Sequence, residues 1–255
     1  MSDGSRFNAT IPPRALDGTP IWFGECHWHT EFSGDGQRAM DAALASARDE
    51  LHLDFAGPAD HMGAGGRYQT RSVAEQAAIC RAFDAPGRFA AMPGAELSRR
   101  YGHCNLYTDD FALLEEIAAR FERELAPAWG RDPDRYGLAA LARLCTPGRS
   151  LVVPHHANMD SWVRERVVHP DGRPFWCAMH FPIPADRDIV RLFEMVQTRG
   201  AFETEETDPA WRVADGGLGG SARTALLRGY RVGFVGGTDN HCGWPTRQGA
   251  LTCGL

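Results

Sequence analysis

Short apolar runs that are typical of β-strands alternate with longer helical segments along this chain, and this alternation constrains the fold most. The candidate strands, in chain order, are PIWFGECHW, LDFAGPAD, RFAAMPGAEL, HCNLYT, SLVVPHHA, DIVRLFEMVQ and YRVGFVGGTD. Helical periodicity, with serine or aspartate near several starts, covers 37–50, 71–83, 111–125, 135–145 and 220–228. Such alternation predicts an α/β fold in which helices cover a mostly parallel sheet or barrel.

The alternation continues through the chain without a repeat or a low-complexity linker, which predicts a single domain over residues 1–255. Residues 1–19 precede the first candidate strand and are interpreted as an N-terminal extension. The segment 157–186 is rich in proline and aromatic residues, and we expect it to form an inserted loop or lid.

Composition excludes several classes of protein. A net charge of -6 argues against a general nucleic-acid binder. No apolar run approaches the ~18 residues that span a bilayer, and the N-terminus lacks a signal-peptide core. We therefore expect a cytoplasmic protein with no membrane or nucleic-acid partner, and both a monomer and a homo-oligomer stay open. The seven cysteines include no C-x-x-C pair, which favours reduced thiols over a disulfide framework.

Seven of the ten histidines lie in polar clusters where candidate strands begin or end. The clusters are HWH, ADH, GAE, GHCN, PHHAN and TDNH. In a β/α barrel the strand ends meet at one face, where enzymes of this fold place their sites. His27 and His29 are two residues apart on a strand, so both side chains point to one side, as do those of Asp239 and His241. Imidazoles with carboxylates suit Zn, Mn or Fe, although a thiolate from Cys26, Cys104 or Cys242 remains an alternative ligand.

The ordered clusters resemble the motifs of the polymerase and histidinol phosphatase (PHP) superfamily of metal-dependent phosphoesterases. The matching stretches are HWHTEFSGD, ADH, GAELSRRYGHCN, PHHAN and TDNH. The resemblance implies a distorted (β/α)7 TIM-like barrel with two or three divalent ions. FGECHWHT, FEMVQTRGAFETE and ALLRGYRVGFVGGTDNHCGWP further resemble an uncharacterised branch of that superfamily. Glu194 and Glu203 belong to the second of these stretches, and Glu194 is expected either to face the pocket or to form a structural ion pair.

The resemblance implies a metal-ligand set in three groups: His27, His29 and Asp239 for a first ion; Glu96, His103 and His155 for a second; and Asp35, His61 and His241 for a third. Glu96 is expected to bridge the first two ions. The doubled histidine in PHHAN leaves His155 and His156 as alternatives, of which His155 is favoured. Asp60 is expected to support an imidazole rather than to bind metal.

The resemblance also implies hydrolysis of a small phosphate monoester or diester by a hydroxide held between metal ions, with Glu96, Asp239 and His241 as catalytic residues. Residues Arg99, Arg100 and Arg247 are candidate contacts to a small, phosphorylated substrate. Two alternatives stay open, because a fold and its ligands do not fix the bond that is cleaved. One is a hydrolase of an amide, lactone or similar bond, and the other is a non-catalytic metal-binding domain.

Overall fold

A computed structural model of the chain describes residues 14–62, 73–99, 102–125, 138–157, 181, 188–204, 220–245 and 252–254, and within these the side chains of 98, 99, 102 and 252–254 are not described. The fold is mixed α/β. The ten strands are β1 (Trp22–Glu25), β2 (Phe55–Ala56), β3 (Ala90–Ala91), β4 (Gly94–Arg99), β5 (Gly102–Thr108), β6 (Ser150–His155), β7 (Leu192–Gln197), β8 (Gly200–Ala201), β9 (Gly233–Gly236) and β10 (Thr252–Gly254). The helices are α1 (Met40–Ala45), α2 (Val73–Phe83), α3 (Phe111–Arg120), α4 (Leu138–Ala142) and α5 (Ala222–Leu227).

The described strands form three sheets, with the orders β10-β1-β2-β3, β4-β5-β6 and β8-β7-β9. Pairing is parallel in β1–β2, β2–β3 and β7–β9 and antiparallel elsewhere. The predicted α/β class is confirmed. The expectation of a mostly parallel sheet is wrong for the middle sheet, which is entirely antiparallel, and the ladders of the described residues do not close a barrel.

The antiparallel middle sheet arises from a hairpin that the sequence pattern did not reveal. The predicted strand RFAAMPGAEL is divided into β3 and β4 by a break that contains Pro93, which has no N–H to donate to a ladder. β4 then pairs with β5 in the register Arg99↔Gly102, with two residues between them. So short a connection allows only antiparallel pairing. His103, at the start of β5, therefore lies at the same sheet edge as the end of β4.

Isolated bridges connect the ends of the three sheets. A parallel bridge joins Trp28, which follows β1, to Asn240, which follows β9. A second parallel bridge joins His61, which follows β2, to Glu96 on β4. These links hold the segments that carry the histidine clusters next to one another.

Two apolar clusters fix the helices against the sheets. The larger packs α3, α4 and α5 around the middle and last sheets, with Leu106, Phe121 and Phe193 fully buried. The smaller packs α1 and α2 on the first sheet around Trp28 and Phe32.

The five predicted helical segments each contain a helix. α1 and α3 continue as π-helical turns over Ser46–Glu50 and Phe121–Leu125. α3 begins where the Asp110 carboxylate accepts a hydrogen bond from the Ala112 N–H, and α5 where the Ser221 hydroxyl accepts one from the Thr224 N–H. No helix in the described part of the chain is long and apolar enough to cross a membrane.

Two predicted segments fall mainly outside the described residues. Of the N-terminal extension, only residues 14–19 are described, and Arg14 forms a bridge with Pro20. Of the predicted lid 157–186, only Ala157 and Phe181 are described. The lid therefore stays a prediction.

Leu106 lies at the centre of the middle sheet, opposite Val152 on β6 and Ala95 on β4, and is fully buried. We expect Leu106→Ala to lower the free energy of unfolding by about 2–5 kcal/mol, because it leaves a cavity in a packed core. Leu227→Ala is the control, since Leu227 is 81% exposed and should change stability by less than about 0.5 kcal/mol. Urea denaturation measures both, and equal midpoints for the two variants would contradict the packing described.

Candidate metal centre

The buried carboxylate of Glu96 lies at the centre of the histidine clusters. Its Oε1 is 2.9 Å from His103 Nδ1 and 3.3 Å from His155 Nε2. Its Oε2 is 3.1 Å from His29 Nε2 and 3.5 Å from His61 Nδ1. Burial alone would raise the pKa of Glu96, but His61, His155 and His103 outweigh it and hold this pKa well below its usual range. Each oxygen faces a different pair of imidazoles, an arrangement in which one carboxylate can bridge two ions.

A first group of potential ligands consists of His27, His29, Glu96 and Asp239, whose ligand atoms lie within 4.8 Å of one another. His27 Nε2 lies 3.7 Å from Glu96 Oε2 and 3.6 Å from Asp239 Oδ1. His29 Nε2 lies 3.3 Å from the same Asp239 oxygen. Both Nε2 atoms are buried without a hydrogen-bond partner among the described residues. Buried polar atoms are seldom left unpaired, so two such nitrogens aimed at two carboxylates fit a bound cation.

Glu194 on β7 orients the His27 ring. Its Oε2 lies 2.7 Å from His27 Nδ1, so the Nδ1–H donates to the carboxylate and Nε2, whose proton a bound cation would displace, faces the group. Burial disfavours the charged ring, but Glu194 and then Glu96 outweigh it and raise the pKa of His27 to about 9. A Cβ at Gly237 would lie 2.2 Å from Glu194 Oε2, so only glycine fits beside this pair. Glu194 thus forms an ion pair with His27, a residue of the first ligand group, and is not itself part of a ligand group formed by the described residues.

Asp60 supports His29 through Ser33. His29 Nδ1 lies 2.9 Å from Ser33 Oγ, which donates a hydrogen bond of 2.9 Å to Asp60 Oδ1. The Thr30 N–H and hydroxyl donate to the same carboxylate at 2.6 and 2.8 Å. Asp60 belongs to none of the ligand groups formed by the described residues, which agrees with the expected supporting role.

Asp239 is held in place by two residues that the sequence reasoning missed, Gln197 and Arg199. Its backbone has the left-handed φ of 51°, and its N–H donates to the His27 carbonyl at 2.6 Å. Asp239 Oδ2 accepts from Gln197 Nε2 at 2.6 Å and forms an ion pair with Arg199. Oδ1 thereby stays directed at His27 and His29. Both missed residues follow Glu194 in the β7–β8 region, where no histidine cluster marks them.

A second group consists of Glu96, His103, His155 and His156. Burial is the main cause that lowers the pKa of His155 and of His156 well below the usual value, and neighbouring imidazoles add to it. Both rings are therefore neutral, the form that binds metal. The two histidines that the sequence left as alternatives lie together in this group.

A third group consists of His29, Asp35, His61 and His241. Asp35 Oδ2 lies 3.3 Å from His61 Nε2 and 3.5 Å from His241 Nε2. Burial would raise the pKa of Asp35, but hydrogen bonds to His241 and His61 outweigh it and hold this pKa below its usual range. The Asp35 and His241 side chains are 30% and 27% exposed, whereas His29 is fully buried. This group forms the open edge of the site.

Some predicted site residues are not tested. The Arg99 side chain and all of Arg100 and Arg247 lie outside the described residues. Cys26 and Cys104 belong to none of the ligand groups formed by the described residues. Burial also raises the pKa of Cys104 well above its usual value, which disfavours a thiolate there.

The donor set fits divalent ions of the Zn, Mn or Fe type, because the three groups combine imidazole nitrogens with carboxylate oxygens. All nine predicted ligands occur in these groups. His156 adds a tenth donor, and His29 is common to the first and third groups.

Comparisons with known proteins give weak similarities. No family model and no curated protein matches this chain. A two-domain protein from Bacteroides vulgatus that contains a predicted PHP-like metal-dependent phosphoesterase matches with a TM-score of 0.46 and 15% identity, over 91% of this chain. A candidate metal-dependent phosphoesterase from Bifidobacterium adolescentis matches with a TM-score of 0.43 and 15% identity, over 90% of this chain and 92% of its own.

This chain spans 55% of the length of the Bacteroides protein. The name of that protein includes the family whose motifs the sequence resembles. TM-scores below 0.5 do not establish a shared fold, so we base the functional inference on the geometry of the site.

Glu194→Gln should weaken metal binding by about 10–100-fold, because the neutral amide is a poorer acceptor for the His27 Nδ1–H and no longer fixes the ring. Chelator competition with Zn²⁺ and Mn²⁺ measures the change. Gly237→Ala should weaken binding in the same direction, since its Cβ would displace the Glu194 carboxylate. Glu203→Gln is the matched control, because Glu203 is an exposed glutamate of the same sequence stretch. Equal affinities for Glu194→Gln and Glu203→Gln would contradict the role of Glu194.

Proposed function

We propose that this chain is a metal-dependent hydrolase and, more narrowly, a phosphoesterase that cleaves a small phosphate monoester or diester. The observation that carries the proposal is the arrangement of three potential ligand groups around the buried carboxylate of Glu96, which belongs to the first and second groups and contacts His29 and His61 of the third. Carboxylate-bridged groups of this kind are typical of sites that stabilise both the attacking and the leaving oxygen of an in-line displacement.

The charge of the site favours an anionic substrate. When bound, two or three divalent ions supply about four to six positive charges and lower the pKa of coordinated water. The carboxylates of Glu96, Asp239, Asp35, Glu194 and Asp60 offset much of that charge over the whole site, but an oxygen that binds the ions directly would meet their local positive charge. A phosphoryl group would therefore be attracted more strongly than a neutral amide or lactone.

The proposed roles of the site residues follow from how deeply each side chain is buried. His27 and His29 present Nε2 atoms whose direction is fixed by Glu194 and by Ser33. Asp239 is held at Oδ2, so its Oδ1 remains directed at the same two rings. His241 is the most exposed imidazole of the groups, and we assign it to the leaving-group side of the substrate. Glu96, Asp239 and His241 thus remain the proposed catalytic residues.

Arg199 supplies a cation that the sequence reasoning did not include. Its side chain is 24% exposed and contacts Asp239, so it borders both the first group and solvent. We propose that the Arg199 guanidinium contributes positive charge next to a bound phosphoryl oxygen. Arg99, Arg100 and Arg247 stay proposals of the same kind.

We propose in addition that the three sheets belong to a single distorted (β/α)7 barrel domain. The bridges Trp28↔Asn240 and His61↔Glu96 support this, since each connects neighbouring sheets at the end that carries the site. A hydrogen bond of 3.0 Å from the Val152 N–H to the Ile189 carbonyl supports it between β6 and the residues before β7.

Purified protein supplied with Mn²⁺ or Zn²⁺ should hydrolyse p-nitrophenyl phosphate or bis-p-nitrophenyl phosphate. His29→Ala should lower kcat/KM by more than about 100-fold, because it removes a nitrogen common to two ligand groups. His52→Asn is the control, since His52 is an exposed histidine with a φ of 53°, which asparagine tolerates. Metal binding without turnover of either ester would reject a phosphoesterase, and turnover insensitive to chelator and to His29→Ala would reject the metal site.

Hydrolysis in ¹⁸O-labelled water should place the label in inorganic phosphate, because we expect cleavage of the P–O bond by water. The isotope shift in the ³¹P NMR spectrum of the product measures the incorporation. A reaction in unlabelled water followed by incubation of the product in labelled water controls for later exchange. Label in the alcohol would show C–O cleavage and contradict an in-line displacement at phosphorus.

A further inference from the structure

His155 and His156 lie side by side in the second ligand group although they are adjacent in the sequence. Successive side chains of a strand point to opposite faces, so a regular strand would direct only one of them into the site. His155 is the last residue of β6, and His156 has a φ of 27°, a backbone conformation that side chains rarely adopt. This break lets both rings lie in the same buried region, 4.5 Å apart at 83°.

The contacts of His156 point to a ligand role. Its ring centroid lies 4.5 Å from that of His103, and its Nε2 lies 3.8 Å from Asp239 Oδ2. Its Nδ1 is buried and has no hydrogen-bond partner in the described part of the chain. A left-handed backbone at a non-glycine residue is strained, and residues with such a backbone cluster at functional sites. A ring that filled space only would not need both the strained backbone and the unpaired nitrogen.

We propose that His156 is a fourth protein donor of the second group, which makes this group a three-nitrogen, one-oxygen site selective for zinc. The inference rests on the proposed metal function. Glu96, His103, His155 and His156 can each place a ligand atom within 4.8 Å of the others. Four protein donors of this type match the tetrahedral preference of Zn²⁺.

The second group differs from the other two because it shares none of its imidazoles with another group. His103, His155 and His156 belong to no other ligand group, whereas His29 is shared between the first and third. The second group is therefore the one with three imidazoles of its own. Because nitrogen ligands favour Zn²⁺ over Mn²⁺, zinc should stay in this group while ions in the other groups exchange.

Metal content and spectra of the intact protein test the proposal without an activity assay. After dialysis against a weak chelator, the wild-type protein should retain one Zn²⁺ per chain. His156→Ala should bind that ion at least about tenfold more weakly in chelator competition. His52→Asn should match the wild type. Co²⁺ bound at the tightest site of the wild type should give the intense visible bands of four-coordinate cobalt, and His156→Ala should shift these bands because a water oxygen replaces an imidazole nitrogen.

Each outcome supports or overturns the inference. Unchanged zinc affinity and an unchanged Co²⁺ spectrum in His156→Ala would overturn it. If that variant does not fold, zinc X-ray absorption of the wild type with one Zn²⁺ per chain should show three imidazoles, and two or fewer would overturn it. The two proposals can fail separately. If the protein holds zinc through His156 but hydrolyses no phosphate ester, this inference stands and the proposed phosphoesterase activity is rejected.

Discussion

The interaction on which the site depends is the burial of the Glu96 carboxylate among imidazoles. A carboxylate removed from water is costly unless it is paired, and here both of its oxygens face ring nitrogens. The backbone of Glu96 joins the same elements, because its N–H donates to the Asp60 carbonyl and its own carbonyl accepts from the Met62 N–H. One residue thus fixes the segment after β2 to β4 and, through His103 and His155, to β5 and β6. The ligand groups lie around Glu96 because these strands and the segment after β2 lie next to one another.

The parts of the site that depend on residues close together in the sequence could be predicted from the sequence. The HWH triplet fixes the relative direction of His27 and His29 within three residues, so its meaning could be read directly. The GAE and TDNH clusters predicted acids near strand ends, and Glu96 and Asp239 lie beside those two histidines. The pairing of β4 with β5 could not be predicted in this way, because it depends on the shortness of the two-residue connection between Arg99 and Gly102 rather than on periodicity. His103 was therefore expected at the start of an independent strand and lies in a hairpin instead.

Other parts of the site depend on tertiary contacts that leave no pattern in the sequence. Gln197 and Arg199 reach Asp239 only because β7 and β9 pair in parallel, so nothing local marks them as functional. Strand alternation predicts that His155 and His156 diverge, and the positive φ of His156 is the reason that they do not. The choice between two adjacent histidines assumed a regular strand through Ala157, but the observed strand ends two residues earlier, at His155.

The more deeply a potential ligand is buried, the more its side chain is held in place by other protein groups. In the first group His27 and His29 are fully buried, and their Nδ1 atoms contact Glu194 and Ser33. Asp35, in the third group, is 30% exposed and has one oxygen without a hydrogen-bond partner among the described residues. Buried ligands with fixed rings lose little entropy when they bind an ion, whereas exposed ligands must first be ordered. An ion at the open edge, where a substrate would arrive, is therefore expected to exchange faster than an ion in the buried first group.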